Sequence, residues 1–141
     1  MPNPGEAAGV VVAVDVGTVR VGVAASDPRR VLASPVATVP ARDVAVVARI
    51  VTERAASCVV VGLPRTLAGR EGASVAMARQ YAERLAVLVA PVPVELVDER
   101  LTTVVAERAL AGSGVRGRGR RAVVDQAAAV ALLQGVLDAA R

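Results

Sequence analysis

The 141-residue sequence has no histidine, lysine, tryptophan or phenylalanine, and each absence removes a class of chemistry. Without histidine there is no Ser-His-Asp triad, no Cys-His nucleophile pair and no His-ligated zinc site. Without lysine there is no Walker A phosphate loop, no Schiff base and no lysine general base. A single cysteine, Cys58, excludes an internal disulfide and any CxxC motif, which suits a reducing compartment. Tyr81 is the only aromatic residue, so stacking platforms for nucleic-acid bases are absent too. No apolar run approaches the about 20 residues of a membrane span. The opening Met1–Gly9 also lacks the basic start of an export signal. A soluble cytoplasmic protein with no membrane partner is expected.

What is present is aliphatic and arginine-rich. Apolar residues make up 54% of the chain and charged residues 21%, enough to bury a core. The length fits one domain. Residues 1–9 read as a flexible tail, and 10–141 as the domain. All 17 basic residues are Arg, and the net charge is +4. Arg116, Arg118, Arg120 and Arg121 crowd into one short segment; without these four, 13 arginines face 13 acids. The excess positive charge therefore sits in one place, and phosphate backbones are its natural partner. A solvated loop is the plainer reading of the same charge.

Hydrophobic spacing gives the order βββαβαβαα. The β-branched run Val10–Val16, the turn Gly17-Thr18 and a strand from Arg20 to Ser26 make a hairpin. A third strand spans Val31–Val39, where Pro35 calls for an edge position or a bulge. Val44, Val47, Ala48, Val51 and Ala55 recur at helical spacing within 42–56. Cys58–Leu63 reads as a central buried strand, with Cys58 a core residue rather than a reactive thiol. A polar loop from Pro64 to Gly72 precedes a helix over 73–89 with Met77, Tyr81, Leu85 and Leu88 on one stripe. A strand over 92–97, a helix near 103–110, an Arg/Gly loop over 115–121 and a last helix over 123–140 complete the chain. The expected fold is a single α/β domain, with a mixed five-stranded sheet (antiparallel over its first three strands) flanked by helices.

Carboxylates stand at the ends of these elements. Asp15 lies one residue before the end of an otherwise apolar strand. It either caps the hairpin turn or serves a cation, because an unpaired buried carboxylate is costly. Asp98 and Glu99 follow the strand 92–97, beyond the carboxyl ends of strands where open α/β sheets gather their sites. Adjacent residues point in opposite directions, and Glu99 is favoured over Asp98. Asp125 is expected in the first turn of the last helix, where an acid also complements the helix dipole. Three carboxylates without histidine suit Mg²⁺, which takes oxygen ligands and keeps waters and phosphates in its shell. A pair of such ions suits phosphodiester cleavage.

The motifs resemble a known family. Asp15-Val16-Gly17-Thr18-Val19-Arg20-Val21-Gly22, with Ser26-Asp27 behind it, is similar to the opening motif of the YqgF (RuvX-like) proteins. Val61-Gly62-Leu63-Pro64 with Gly69, Glu71 and Gly72 continues it. Asp98-Glu99-Arg100-Leu101-Thr102-Thr103 is its most specific stretch, and Val124-Asp125 with the following alanines closes it. The resemblance covers everything after the tail. It implies a ribonuclease H-like fold and a nuclease using Mg²⁺ or Mn²⁺ held by Asp15, Glu99 and Asp125. Its substrate would be the 5′ end of precursor 16S rRNA or, alternatively, a Holliday junction. Arg20 and Arg100 would touch phosphate, with Arg116, Arg118, Arg120 and Arg121 binding the backbone. Cutting both strands of branched DNA would favour a homodimer. Val19 stands where the family often has Lys, and Arg65 where it often has an apolar residue.

Two other classes compete. An Asp-x-Gly-Thr turn also opens the phosphate loop of actin-like and sugar-kinase folds, but those clasp a nucleotide between two domains. A non-catalytic RNA-binding ribosome-assembly factor would share the basic segment but not need the carboxylates.

Overall fold

Three β-branched runs pair first with one another and then with two later strands. The computed structural model describes residues 9–64, 72–98 and 117–140, with side chains from 124 onward in the last stretch. Strands β1 (Val11–Val16), β2 (Arg20–Ser26) and β3 (Ala33–Pro40) form an antiparallel meander, and β4 (Cys58–Leu63) and β5 (Val94–Asp98) add in parallel. The sheet order is β3-β2-β1-β4-β5. Helices α1 (Val44–Glu53) and α2 (Ala73–Val89) follow β3 and β4, and α3 (Gly117–Ala139) ends the chain.

Strand alternation divides the core in two. Val12, Val14, Val59 and Val61 face α1 and α2, packing with Val47, Val51, Tyr81 and Leu85. Val11, Ala13, Ala24 and Val60 face α3, packing with Ala129, Leu132, Leu133 and Leu137. The layers are helices, sheet and helix, as expected for α/β.

Several boundaries move for physical reasons. β3 is an edge strand, and the ladder skips Val36 between the pairs Val23–Ala37 and Ala24–Pro35. Pro35 thus has both the edge and the bulge it calls for. Val31 and Leu32 are not in the strand: the Asp27 carboxylate accepts their amides at 2.8 and 2.9 Å, giving the backbone an alternative to the ladder. α1 is shorter than 42–56, because Ala55 turns into the left-handed region at φ 50°. On α2, Ala78 and Ala82 join Tyr81 and Leu85 in the core while Leu88 is 50% exposed, so the buried stripe is rotated from the expected one.

α3 begins at Gly117, not Val123, so 117–121 is helical backbone rather than a loop. The tail residues 1–8, the loop 65–71, the expected helix at 103–110 and Arg141 lie outside the described residues. Among the described residues no helix is long and apolar enough to cross a membrane.

Candidate active site

The parallel strands β1, β4 and β5 all end at one edge of the sheet, at Val16, Leu63 and Asp98. Asp15 lies at that edge. It follows Val11 and Ala13 on the alternating pattern, so it belongs to the face covered by α3. Its partner on β2 is Gly22, whose own partner on β3 is Thr38. On the other side, the Val14–Val61 pair sets Gly62 beside Asp15 one step on. A row of Thr38, Gly22, Asp15 and Gly62 therefore crosses four strands on one face.

α3 is seated on that row. A Cβ at Gly22 would overlap the backbone carbonyl of Asp125 and come within 3.0 Å of Gln126 N. The glycine is there for the helix backbone, not for an unusual φ. Two side-chain bonds fix the crossing: Arg20 Nε donates to Asp125 Oδ2 at 2.8 Å, and Gln126 Nε2 donates to Thr38 Oγ1 at 2.9 Å. Arg20 and Gly22 lie two apart on β2, so one strand face meets both the backbone and the carboxylate of Asp125. The ion pair is partly open, with side chains 38% exposed for Arg20 and 23% for Asp125.

Asp15 pairs with Gly22, and the Asp125 backbone lies over Gly22, so opposite ends of the sequence meet on one stretch of the sheet. The first-turn reading of Asp125 is corrected. With α3 starting at Gly117, Asp125 is two turns in, and no acid occupies the first turn to complement the dipole. Arg20, expected to touch phosphate, is bonded through Nε to Asp125. Asp98 pairs with Leu63 at the end of β5, is exposed, and lines an open pocket with Val97 and with Leu132, Gly135 and Val136 of α3. Glu99, Arg100 and Arg116 lie outside the described residues, as do the side chains of Arg118, Arg120 and Arg121. Cys58 is half-buried, and burial pushes its thiol above the usual value, with Glu95 adding to the rise and Arg30 opposing it. It is a packing residue, in keeping with the core reading.

Gly22, Thr38 and Gln126 join the site without having been expected there. The signal for Gly22 was available, since a glycine inside a strand marks close backbone approach. Thr38 and Gln126 carry none, being joined only by the tertiary fold.

The chemistry of the donors suits a hard divalent ion. Among the described residues no cluster of three or more metal-ligating side chains occurs. Asp15 and Asp125 offer hard carboxylate oxygens. Mg²⁺ is commonly held by one or two carboxylates plus waters and substrate phosphate, so this pair fits such an ion.

The sheet order, the antiparallel start and the helices on both faces define a ribonuclease H-like domain, with carboxylates at the carboxyl edge of its parallel strands. Two solved structures bear out the fold. Thermus thermophilus RuvC aligns with a TM-score of 0.58 at 19% identity over 93% of this chain and 95% of that one. T. thermophilus RuvC in complex with a Holliday junction substrate aligns at 0.57 and 18%, over 93% and 94%. More particularly, the chain belongs to the RuvX family, whose model, described as a Holliday junction resolvase, matches residues 9–139. Relatives named "Putative pre-16S rRNA nuclease" include one from Frankia casuarinae, 57% identical over 135 residues (92% of this chain, 67% of the relative). Another, from Mycobacterium ulcerans, is 52% identical over 143 residues, covering 99% and 84%.

Proposed function

We propose that the chain is a divalent-metal-dependent nuclease that hydrolyses phosphodiester bonds at the 5′ end of precursor 16S rRNA, in the cytoplasm. The observation that carries this is the seating of α3 on Gly22, which sets Asp125 beside the row holding Asp15 at the carboxyl edge of the parallel strands. Family membership and the names of the relatives support the same reaction class.

Asp15 and Asp125 would hold Mg²⁺ or Mn²⁺ together with Glu99. A bound ion of this kind supplies an activated water and stabilises the leaving oxygen. The residues of the chain hold and orient. The β1 ladder fixes Asp15 in register, and Gly22 with the Gln126–Thr38 bond fixes Asp125. Arg100, Arg116, Arg118, Arg120 and Arg121 would bind the backbone of the polyanion, with Arg20 nearest the reacting phosphate.

A second reading keeps the site and changes the substrate to branched DNA, supported by the family's description as a Holliday junction resolvase. A homodimer would then cut both strands.

The test is cleavage by the wild type and Asp15→Asn with Mg²⁺, Mn²⁺ or EDTA, on a precursor 16S leader RNA and on a four-way DNA junction. Cutting of the RNA that needs both the metal and Asp15 is expected. Preference for the junction selects the second reading. Binding of both without cutting by the wild type removes the catalytic assignment and leaves an assembly factor.

A further inference from the structure

We infer that Arg20 is a resident cation of the acidic site: it occupies Asp125 when no divalent ion is there, and passes to a substrate phosphate when one binds. This rests on the reading that Asp15 and Asp125 hold a metal. It adds that the metal and the polyanion are coupled through one side chain.

The geometry supplies a fixed anion and a movable cation. Asp125 is pinned: its carbonyl abuts Gly22, and its neighbour Gln126 is bonded to Thr38. Arg20 is anchored only by its own strand, and its side chain is 38% exposed on a long stem that can swing outward. Among the described residues its ion pair runs through Nε alone, so the terminal nitrogens are available to a phosphate. A carboxylate lone pair given to a guanidinium at 2.8 Å is not available to a metal. An ion on the other oxygen would stand beside a like charge, which is unfavourable. Arg20 and the metal therefore compete for Asp125. Once displaced, the guanidinium lies next to the site with its fork unpaired, suited to phosphate.

Competition and hand-over have a thermodynamic signature. Without nucleic acid, Arg20 weakens metal binding. With it, the phosphate draws Arg20 away, so polyanion and metal tighten each other by the same factor. An arginine that only clamps α3 to β2 would carry no part of the tightening between polyanion and metal.

The experiment is Mn²⁺ binding to the full chain followed by electron paramagnetic resonance, for wild type, Arg20→Gln, Arg20→Lys and Asp15→Asn. Binding of a labelled phosphorothioate RNA, which resists cleavage, is measured by anisotropy with and without Mn²⁺. Without RNA, Arg20→Gln binds Mn²⁺ about fivefold more tightly than wild type, as befits loss of a partly exposed pair. Its mutual tightening between RNA and Mn²⁺ is smaller than that of wild type by the part that Arg20 carries. Arg20→Lys, which keeps the charge but not the fork, falls between the two. If Arg20→Gln does not fold, Arg20→Lys must still bind Mn²⁺ more tightly than wild type. Equal or weaker Mn²⁺ binding by the folded variant, with Asp15→Asn still lowering it, overturns this inference alone. No Mn²⁺ binding by wild type or variant overturns the metal reading and this inference together.

Discussion

Replacing Gly22 with alanine tests whether the contact that holds α3 also builds the site. The added Cβ would overlap the Asp125 carbonyl and approach Gln126 N to 3.0 Å, and both obstacles are helix backbone rather than the yielding end of a side chain. The strand cannot retreat, because Gly22 is paired on both sides, to Asp15 and to Thr38. The helix must rise. Doing so strains the packing of Ala129, Leu132 and Leu133 against the sheet and stretches the Gln126–Thr38 and Arg20–Asp125 bonds. Overpacking of a well-filled core costs about 1–3 kcal/mol, and one neutral hydrogen bond adds about 1 kcal/mol. A loss of roughly 2–4 kcal/mol is expected, a large share of the about 5–15 kcal/mol that holds a small domain. Urea unfolding followed by far-UV circular dichroism measures it, with metal-dependent cleavage assayed below the transition. Activity should fall further than the folded fraction does, because Asp125 moves with the helix. A variant within about 0.5 kcal/mol of wild type and fully active would refute the reasoning.

Three other outcomes are expected. Tyr81 is pushed up to about 12, chiefly by burial, with Arg84 opposing and Asp43 adding to the rise, and its hydroxyl finds no partner among the described residues. The folded state keeps the phenol proton while the unfolded chain loses it near pH 10, so stability falls as pH rises from about 10 to 12, by roughly 2–3 kcal/mol. As the only tyrosine, it gives a clean phenolate absorbance; ionisation near pH 10 in the native protein would count against the burial argument. Tyr81→Phe should abolish this alkaline loss and leave stability at neutral pH equal or higher. Gln134 accepts from Ala33 N at 3.0 Å and donates to Val31 O at 2.9 Å, so Gln134→Ala orphans a buried amide and should cost about 1–2 kcal/mol in the same unfolding assay. Changing Arg116, Arg118, Arg120 and Arg121 to alanine should weaken RNA binding and flatten its salt dependence by about one unit of slope for each phosphate no longer neutralised. An unchanged slope would remove those arginines from the interface.

The order of elements is legible because continuous apolar runs mark the central strands and apolar residues recur at three and four in α1. Val44, Val47, Ala48 and Val51 are buried as their spacing requires. Legibility fails where alanine is abundant. On α2 the small Ala78 and Ala82 face the core in place of Leu88, a choice that hydrophobicity alone does not make when 54% of the chain is apolar. The early start of α3 is hidden by Gly117 and Gly119, which each disfavour helix by about 1 kcal/mol in local propensity. In the site, Asp15 and Asp125 are legible as acids in otherwise apolar elements. The Arg20–Asp125 bond is not, since it joins residues 105 apart and depends on where the helix crosses β2.

The same contrast separates two aspartates, one just beyond β2 and one within α3. Asp27, beyond the far end of β2, accepts backbone amides from Val31, Leu32 and Arg29. The Leu32 amide is the main cause of a carboxyl held below its usual value, against a smaller opposing effect of burial. Its donors are part of the chain and cannot leave, so Asp27 is committed to closing the turn before β3. Its contribution to stability is present above about pH 4 and is lost as pH falls through the lowered value. Asp125, at the carboxyl edge, has for its side-chain partner a half-exposed arginine that can move. A carboxylate saturated by amides is architecture, whereas one balanced by a mobile cation is exchangeable. The motif that contains Asp15, Arg20 and Asp27 therefore serves both ends of one hairpin, a fixed turn at one pole and an exchangeable charge at the other.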